Sequence, residues 1–94
     1  MDLKFLIVDD SQTMRRIVAN VLKNIGYEDF VEASDGKDAL VKLAADDSIN
    51  FVITDWNMPV LSGLELVKAI RSDEKIGNIP ILMVTTRGVK DDII

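Results

Sequence analysis

The chain has 94 residues, 48% hydrophobic and 29% charged, with a net charge of −5. That leaves room for one small globular domain and excludes a disordered composition, while the acidic balance argues against a nucleic-acid partner, which needs a basic face. Cysteine and histidine are absent, which removes disulfides, thiolate chemistry, a histidine base or metal ligand, and a phosphohistidine on this chain. No apolar run approaches the ~20 residues of a membrane span. Met1-Asp2-Leu3-Lys4 has no signal-peptide character, so a cytoplasmic protein without a membrane partner is the expectation.

Phe5-Leu6-Ile7-Val8 predicts a buried strand, from about Lys4 to Val8, that ends on Asp9 and Asp10. Ser11 is a plausible N-cap for a helix in which Met14, Ile17, Val18, Val21, Leu22 and Ile25 form one apolar stripe. Arg15, Arg16, Asn20 and Lys23 are expected on its other side, and Gly26 follows as a C′ glycine. Phe30-Val31-Glu32-Ala33 is half polar and suits an edge strand. Ser34-Asp35-Gly36 turns the chain into a short helix marked by Ala39, Leu40 and Leu43, with Asp46-Asp47-Ser48 as the loop beyond it. Phe51-Val52-Ile53-Thr54-Asp55 has the character of a central parallel strand, apolar on both faces with a carboxylate at its carboxyl end. Ser62-Gly63 opens a third helix with Leu64, Val67 and Ile70 expected inward, and Ser72 to Asn78 is loop. Pro80 precedes a fourth strand, Ile81-Leu82-Met83-Val84, which ends on Thr85 and Thr86. Val89 and Ile93 then have the spacing of a helical turn, and the apolar ending Ile93-Ile94 reads as a cut end.

Strands and helices alternate with connections too long for hairpins, so the fold expected is α/β, a parallel sheet with helices on both faces. Ligands of such sheets bind beyond the carboxyl ends of the strands, at the topological switch point. If the first and third strands are neighbours there, Asp9, Asp10 and Asp55 converge. Three close carboxylates repel one another, and a hard divalent cation such as Mg²⁺ offsets that repulsion while leaving coordination sites for phosphate oxygens. One acid is then available as a nucleophile, as in aspartyl-phosphate chemistry, and Thr85, at the adjacent strand end, could hydrogen-bond a phosphoryl oxygen. Taken singly, such acids are more often turn residues or helix caps. The argument rests on three strand ends together.

These residues carry a resemblance. Asp9-Asp10 after Phe-Leu-Ile-Val, Asp55 with Met58-Pro59 and Gly63, and Thr85 after Leu-Met-Val resemble the receiver domain of two-component response regulators. Thr13-Met14-Arg15-Arg16-Ile17-Val18, Asp55-Trp56-Asn57-Met58-Pro59 and Gly63-Leu64-Glu65-Leu66 are similar to its chemotaxis subgroup. The resemblance covers all 94 residues. It implies a flavodoxin-like (CheY-like) doubly wound sheet, here about four strands and three helices plus the start of a fourth helix, with the family's strand order 2-1-3-4-5.

By position, the resemblance makes Asp55 the phosphoacceptor, served by a histidine kinase of chemotaxis type. Asp10 and Asp55 become direct Mg²⁺ ligands, Asp9 a ligand through water, and the backbone carbonyl of Asn57 the third protein ligand. Thr85 becomes the switch hydroxyl. The chain is then a signalling switch and not an enzyme, beyond assisting its own phosphorylation and dephosphorylation.

The family also uses a lysine and an aromatic residue on a fifth strand, which residues 1–94 lack. Lys90 is no substitute by position, and Arg87 stands where the family tunes phosphoryl lifetime. The chain therefore reads as an incomplete receiver domain without the fifth strand and helix, and without the family's docking surface for the flagellar motor switch. Its fourth strand is expected to be an exposed apolar edge, and part of the first helix's apolar stripe is expected to lose its cover, both of which favour self-association. The alternative is a fragment that keeps fold and acid pocket but has lost signalling. A Mg²⁺-dependent hydrolase with Asp55 as nucleophile is disfavoured, because Asn57 occupies the position of its acid/base. A dinucleotide-binding domain is disfavoured because no G-x-G-x-x-G follows the first strand.

Overall fold

A computed structural model of the chain describes residues 2–84. The expectations for Thr85, Arg87, Val89, Lys90 and Ile93, including a beginning fourth helix, lie outside the described residues.

Seven elements alternate as expected: β1 (Phe5–Val8), α1 (Gln12–Asn24), β2 (Phe30–Ala33), α2 (Gly36–Ala45), β3 (Phe51–Asp55), α3 (Gly63–Arg71) and β4 (Ile81–Val84). The strands form one parallel sheet in the order β2-β1-β3-β4, with Phe5 opposite both Phe30 and Phe51, and Asp55 opposite Val84. The chain leaves β1 toward β2 and then crosses back to β3. The switch point therefore falls between β1 and β3.

Alternation along the strands divides the core in two. Leu6, Val8, Ala33 and Val52 pack with Ala39 and Leu43 of α2 and Leu66 and Ile70 of α3. Phe5, Ile7 and Ile53 face the other way and pack with Ala19 and Leu22 of α1. The central strand pair is closed on both faces, and Leu6, Val52, Leu66 and Ile70 have no exposed surface.

Part of the α1 stripe is uncovered, as expected, whereas the placement of Arg15 and the inward face of α3 differ from expectation. In α1 the sheet meets only one flank of the broad apolar stripe. Ala19 and Leu22 are buried, whereas Ile17, Val21 and Ile25 are exposed. Arg15 precedes Ala19 and Leu22 by one and two helical turns, so it belongs to the sheet-facing line and not to the solvent side assigned to it. In α3, Leu64 is exposed and Leu66 takes the inward position with Ile70. Gly63 is itself buried against β3, which puts positions three and seven residues later on the same face.

β2 and β4 are the two edges of the sheet among the described residues, and on β4 Leu82 is 52% exposed. At the amino end of the sheet, the Asn50 side chain accepts a hydrogen bond from Lys4 N and donates one to the Asp2 carbonyl. Lys4 Nζ pairs with Asp46 at 2.7 Å, joining β1 to the end of α2.

That pair has a pH signature. The Lys4 ammonium, helped by the Ser48 hydroxyl and amide, holds the Asp46 carboxyl at about 2 against an ordinary 3.8. A depressed carboxyl pKa stabilises the fold above its unfolded value, and the contribution is lost as pH falls through the folded value. The hydrogen bond to Asp46 likewise raises Lys4 above its ordinary 10.5, a contribution present below that value and lost as pH rises through the folded one. Asp46→Asn should therefore lower the thermal midpoint at neutral pH, and its difference from the parent should shrink between pH 4 and pH 2, followed by circular dichroism.

Candidate functional site

The strand ends determine where the acids stand. β1 stops at Val8, and Asp9 is held at its amide by the Ala33 carbonyl of β2 (3.1 Å). Its Oδ1 accepts from Ser11 N at 2.8 Å, a tight side-chain turn that leads into the helix. Ser11 caps α1 as expected, its hydroxyl accepting from Met14 N at 3.2 Å. Asp9 is buried, and Asp10 beside it is exposed. Asp55 is the last residue of β3, 4% exposed and flanked by β1 and β4.

Beyond Asp55 the chain folds back on itself. Trp56 N still bonds the Val84 carbonyl (3.2 Å), and its own carbonyl accepts from Gly63 N (2.9 Å). Val60 takes a left-handed backbone with φ 71°, which permits the reversal. α3 then starts on a capping box, with Glu65 N donating to Ser62 Oγ and Ser62 N to the Glu65 carboxylate. The Ser62 amide pulls the Glu65 carboxyl below its usual range.

Gly63 fits because its Cα lies against the Asp55 carbonyl, where a Cβ would collide. Gly36, which opens α2, is also tightly packed, against Leu61, whose Cβ and carbonyl would both stand 2.8 Å from an added Cβ. The loop after β3 is thus wedged between two helix starts.

The three sequence-predicted acids come together. One carboxylate oxygen from each of Asp9, Asp10 and Asp55 lies within 4.8 Å of the other two, and two of the three residues are buried. All the donors are hard carboxylate oxygens. Such a set suits a Mg²⁺-like cation and not a soft metal, and a bound cation would relieve the repulsion among the acids. The residues fit the metal. Asn57 lies exposed two residues beyond Asp55 in the same loop, and Thr85 lies outside the described residues.

One contact at the site was not anticipated. Arg15 donates from Nη1 to the Asp9 carbonyl at 2.6 Å and from Nε to the Glu32 carboxylate of β2 at 3.0 Å. The available signal was its helical spacing from Ala19 and Leu22.

The response regulator receiver domain family matches residues 5–94 of the chain. The chain belongs to that family. Its receiver sequence is 52% identical over 92 residues to the chemotaxis protein CheY1 of Helicobacter pylori, an overlap of 98% of this chain and 74% of that one. The chemotaxis protein CheY homolog of Campylobacter jejuni is 48% identical over 92 residues, 98% of this chain and 71% of its own.

Among solved structures, the chemotaxis response regulator CheY4 of Vibrio cholerae superposes with a TM-score of 0.79 at 40% identity, over 88% of this chain and 68% of its own. A response regulator receiver protein of Pseudomonas putida gives 0.82 at 29% identity, over 99% and 78%. The flavodoxin-like receiver fold expected from the sequence is the fold observed, and the receiver domain is of chemotaxis type. No helix among the described residues is long and apolar enough to cross a membrane.

Proposed function

We propose that this receiver domain is a phospho-accepting switch that takes a phosphoryl group on Asp55 from the phosphohistidine of a chemotaxis-type histidine kinase in the cytoplasm. The observation that carries the reading is the meeting of Asp9, Asp10 and Asp55 at the β1–β3 switch point in a member of this family. A carboxylate oxygen of Asp55 forms the new P–O bond as the P–N bond of the donor breaks and the imidazole leaves. Asp10, Asp55 and the Asn57 carbonyl would hold Mg²⁺ directly, and Asp9 through water. When bound, Mg²⁺ supplies the positive charge that lets the carboxylates and phosphoryl oxygens share one site. Thr85 is the switch hydroxyl of the reading, converting a local charge event into a two-state change. The domain works as a switch and not as a turnover enzyme. In the intact family, the flagellar motor switch receives the output.

Transfer from a phosphorylated histidine donor protein tests the reading. Radiolabel should pass to the parent chain and fail to pass to Asp55→Asn. Equal labelling of the two would contradict it.

Ile17, Val21 and Ile25 of α1 and Leu82 of β4 are exposed together with the β4 edge, which supports self-association of this 94-residue chain. Light scattering after size exclusion should give a mass that rises with concentration and falls back in Leu82→Lys. A monomer at every concentration would refute it.

A further inference from the structure

Arg15 is a cation inside the structural frame of the acid pocket. Its side chain is only 15% exposed, because it shares the sheet-facing line of α1 with Ala19 and Leu22. Its two hydrogen bonds point to different strands, Nη1 to the carbonyl of Asp9 just past β1 and Nε to Glu32 on β2. The Glu32 main chain is tied in turn to α2, since its carbonyl accepts from Lys42 Nζ at 2.7 Å, and Lys42 also pairs with Asp38 at 3.1 Å.

The peptide unit that follows Cα of Asp9 is therefore clamped by a guanidinium, while the unit before it is clamped by the β2 ladder. Asp10 is the next residue along. Its carboxylate can stand where it does only if this peptide holds its orientation.

We propose that Arg15, braced by Glu32, is a positioning residue for the metal pocket, holding the Asp9 carbonyl and so the placement of the Asp9 and Asp10 carboxylates relative to Asp55. The inference rests on the reading of these acids as a Mg²⁺ site. It makes the edge strand β2, which contributes no ligand, part of what sets metal affinity.

The sign of the effect separates positioning from electrostatics. A positive charge beside three carboxylates opposes a second cation, so removing it would tighten Mg²⁺ binding if charge were all that mattered. Loss of a positioning contact loosens binding, typically by about tenfold or more. Mg²⁺ titration followed through Trp56, at a temperature where every variant is folded, should give a Kd about tenfold higher for Arg15→Gln. Arg15→Lys should fall in between, Glu32→Gln should weaken binding less, and the double variant should be no worse than Arg15→Gln alone. A Kd that is unchanged or lower in Arg15→Gln overturns the proposal.

Amide hydrogen exchange in chelator provides a metal-independent readout. Ser11 and Asp9 amides should exchange faster in Arg15→Gln, while Leu6 and Val52 keep the parent rate. Unchanged exchange at Ser11 and Asp9 also overturns the proposal. A parent chain that binds no Mg²⁺ contradicts the metal reading instead, and the exchange result still decides whether the brace exists.

Discussion

Gly63→Ala should destabilise this domain by about 2–4 kcal/mol, a large loss for a single added methyl group. The added Cβ would collide with the Asp55 carbonyl oxygen, with Trp56 Cα and the Asp55 carbonyl carbon only 3.0 and 3.1 Å away behind it. All of these are backbone atoms, so no side chain can swing aside. Either α3 retreats and uncovers Leu66 and Ile70, or the end of β3 shifts and carries Asp55 with it. Both routes lower the urea midpoint, and the second lowers Mg²⁺ affinity with it.

Gly26→Ala is the informative control. Gly26 has φ +104° but nothing within 4 Å of an added Cβ. It should cost only about 1 kcal/mol, from backbone conformation, and leave Mg²⁺ binding untouched. Parent-like stability in Gly63→Ala would mean that the loop after β3 does not press on α3 as described.

Asp10→Asn should have opposite effects in chelator and in Mg²⁺. Without metal, removing one of three carboxylates whose oxygens lie within 4.8 Å of one another relieves repulsion. The variant should then melt higher than the parent, by the equivalent of about 1 kcal/mol, the repulsion of one such pair at the dielectric of bulk water, to which Asp10 is exposed. With Mg²⁺ at 100 times Kd the parent gains about 2.7 kcal/mol by mass action. The variant, lacking one of the proposed ligands, should lose most of that gain, so the order of stabilities reverses. Calorimetry in chelator and in saturating Mg²⁺ checks both halves. A variant less stable than the parent in chelator would show that Asp10 is held by favourable contacts that outweigh the repulsion.

The strands and helix starts were legible because each rests on local chemistry. Apolar runs end on Asp9 and Asp55, Ser11 and Ser62 accept from the amides of the first turn, and Pro80 precedes β4. Convergence of the three acids was legible only on the condition that β1 and β3 are neighbours. Spacing does not dictate that adjacency, and the strand order came from the resemblance.

Helix rotation was not legible, for two distinct reasons. The α1 stripe from Met14 to Ile25 is wider than the contact the sheet offers, so hydrophobicity alone cannot say which flank is buried. In α3, Leu64, Val67 and Ile70 compete with Leu66 and Ile70 as an inward face. The choice is made by Gly63, whose close approach to Asp55 links residues eight apart. Arg15 was hidden by the same ambiguity, since a rotation of α1 decides whether its guanidinium reaches water or the Asp9 carbonyl.

The most direct measurement is phosphoryl uptake from a small acyl phosphate, with the modified peptide located by mass spectrometry, in Mg²⁺ and again in excess chelator. The account predicts one phosphoryl group on the peptide containing Asp55 in Mg²⁺ and none in chelator. Equal uptake in chelator, or a phosphoryl group on any other residue, would contradict it.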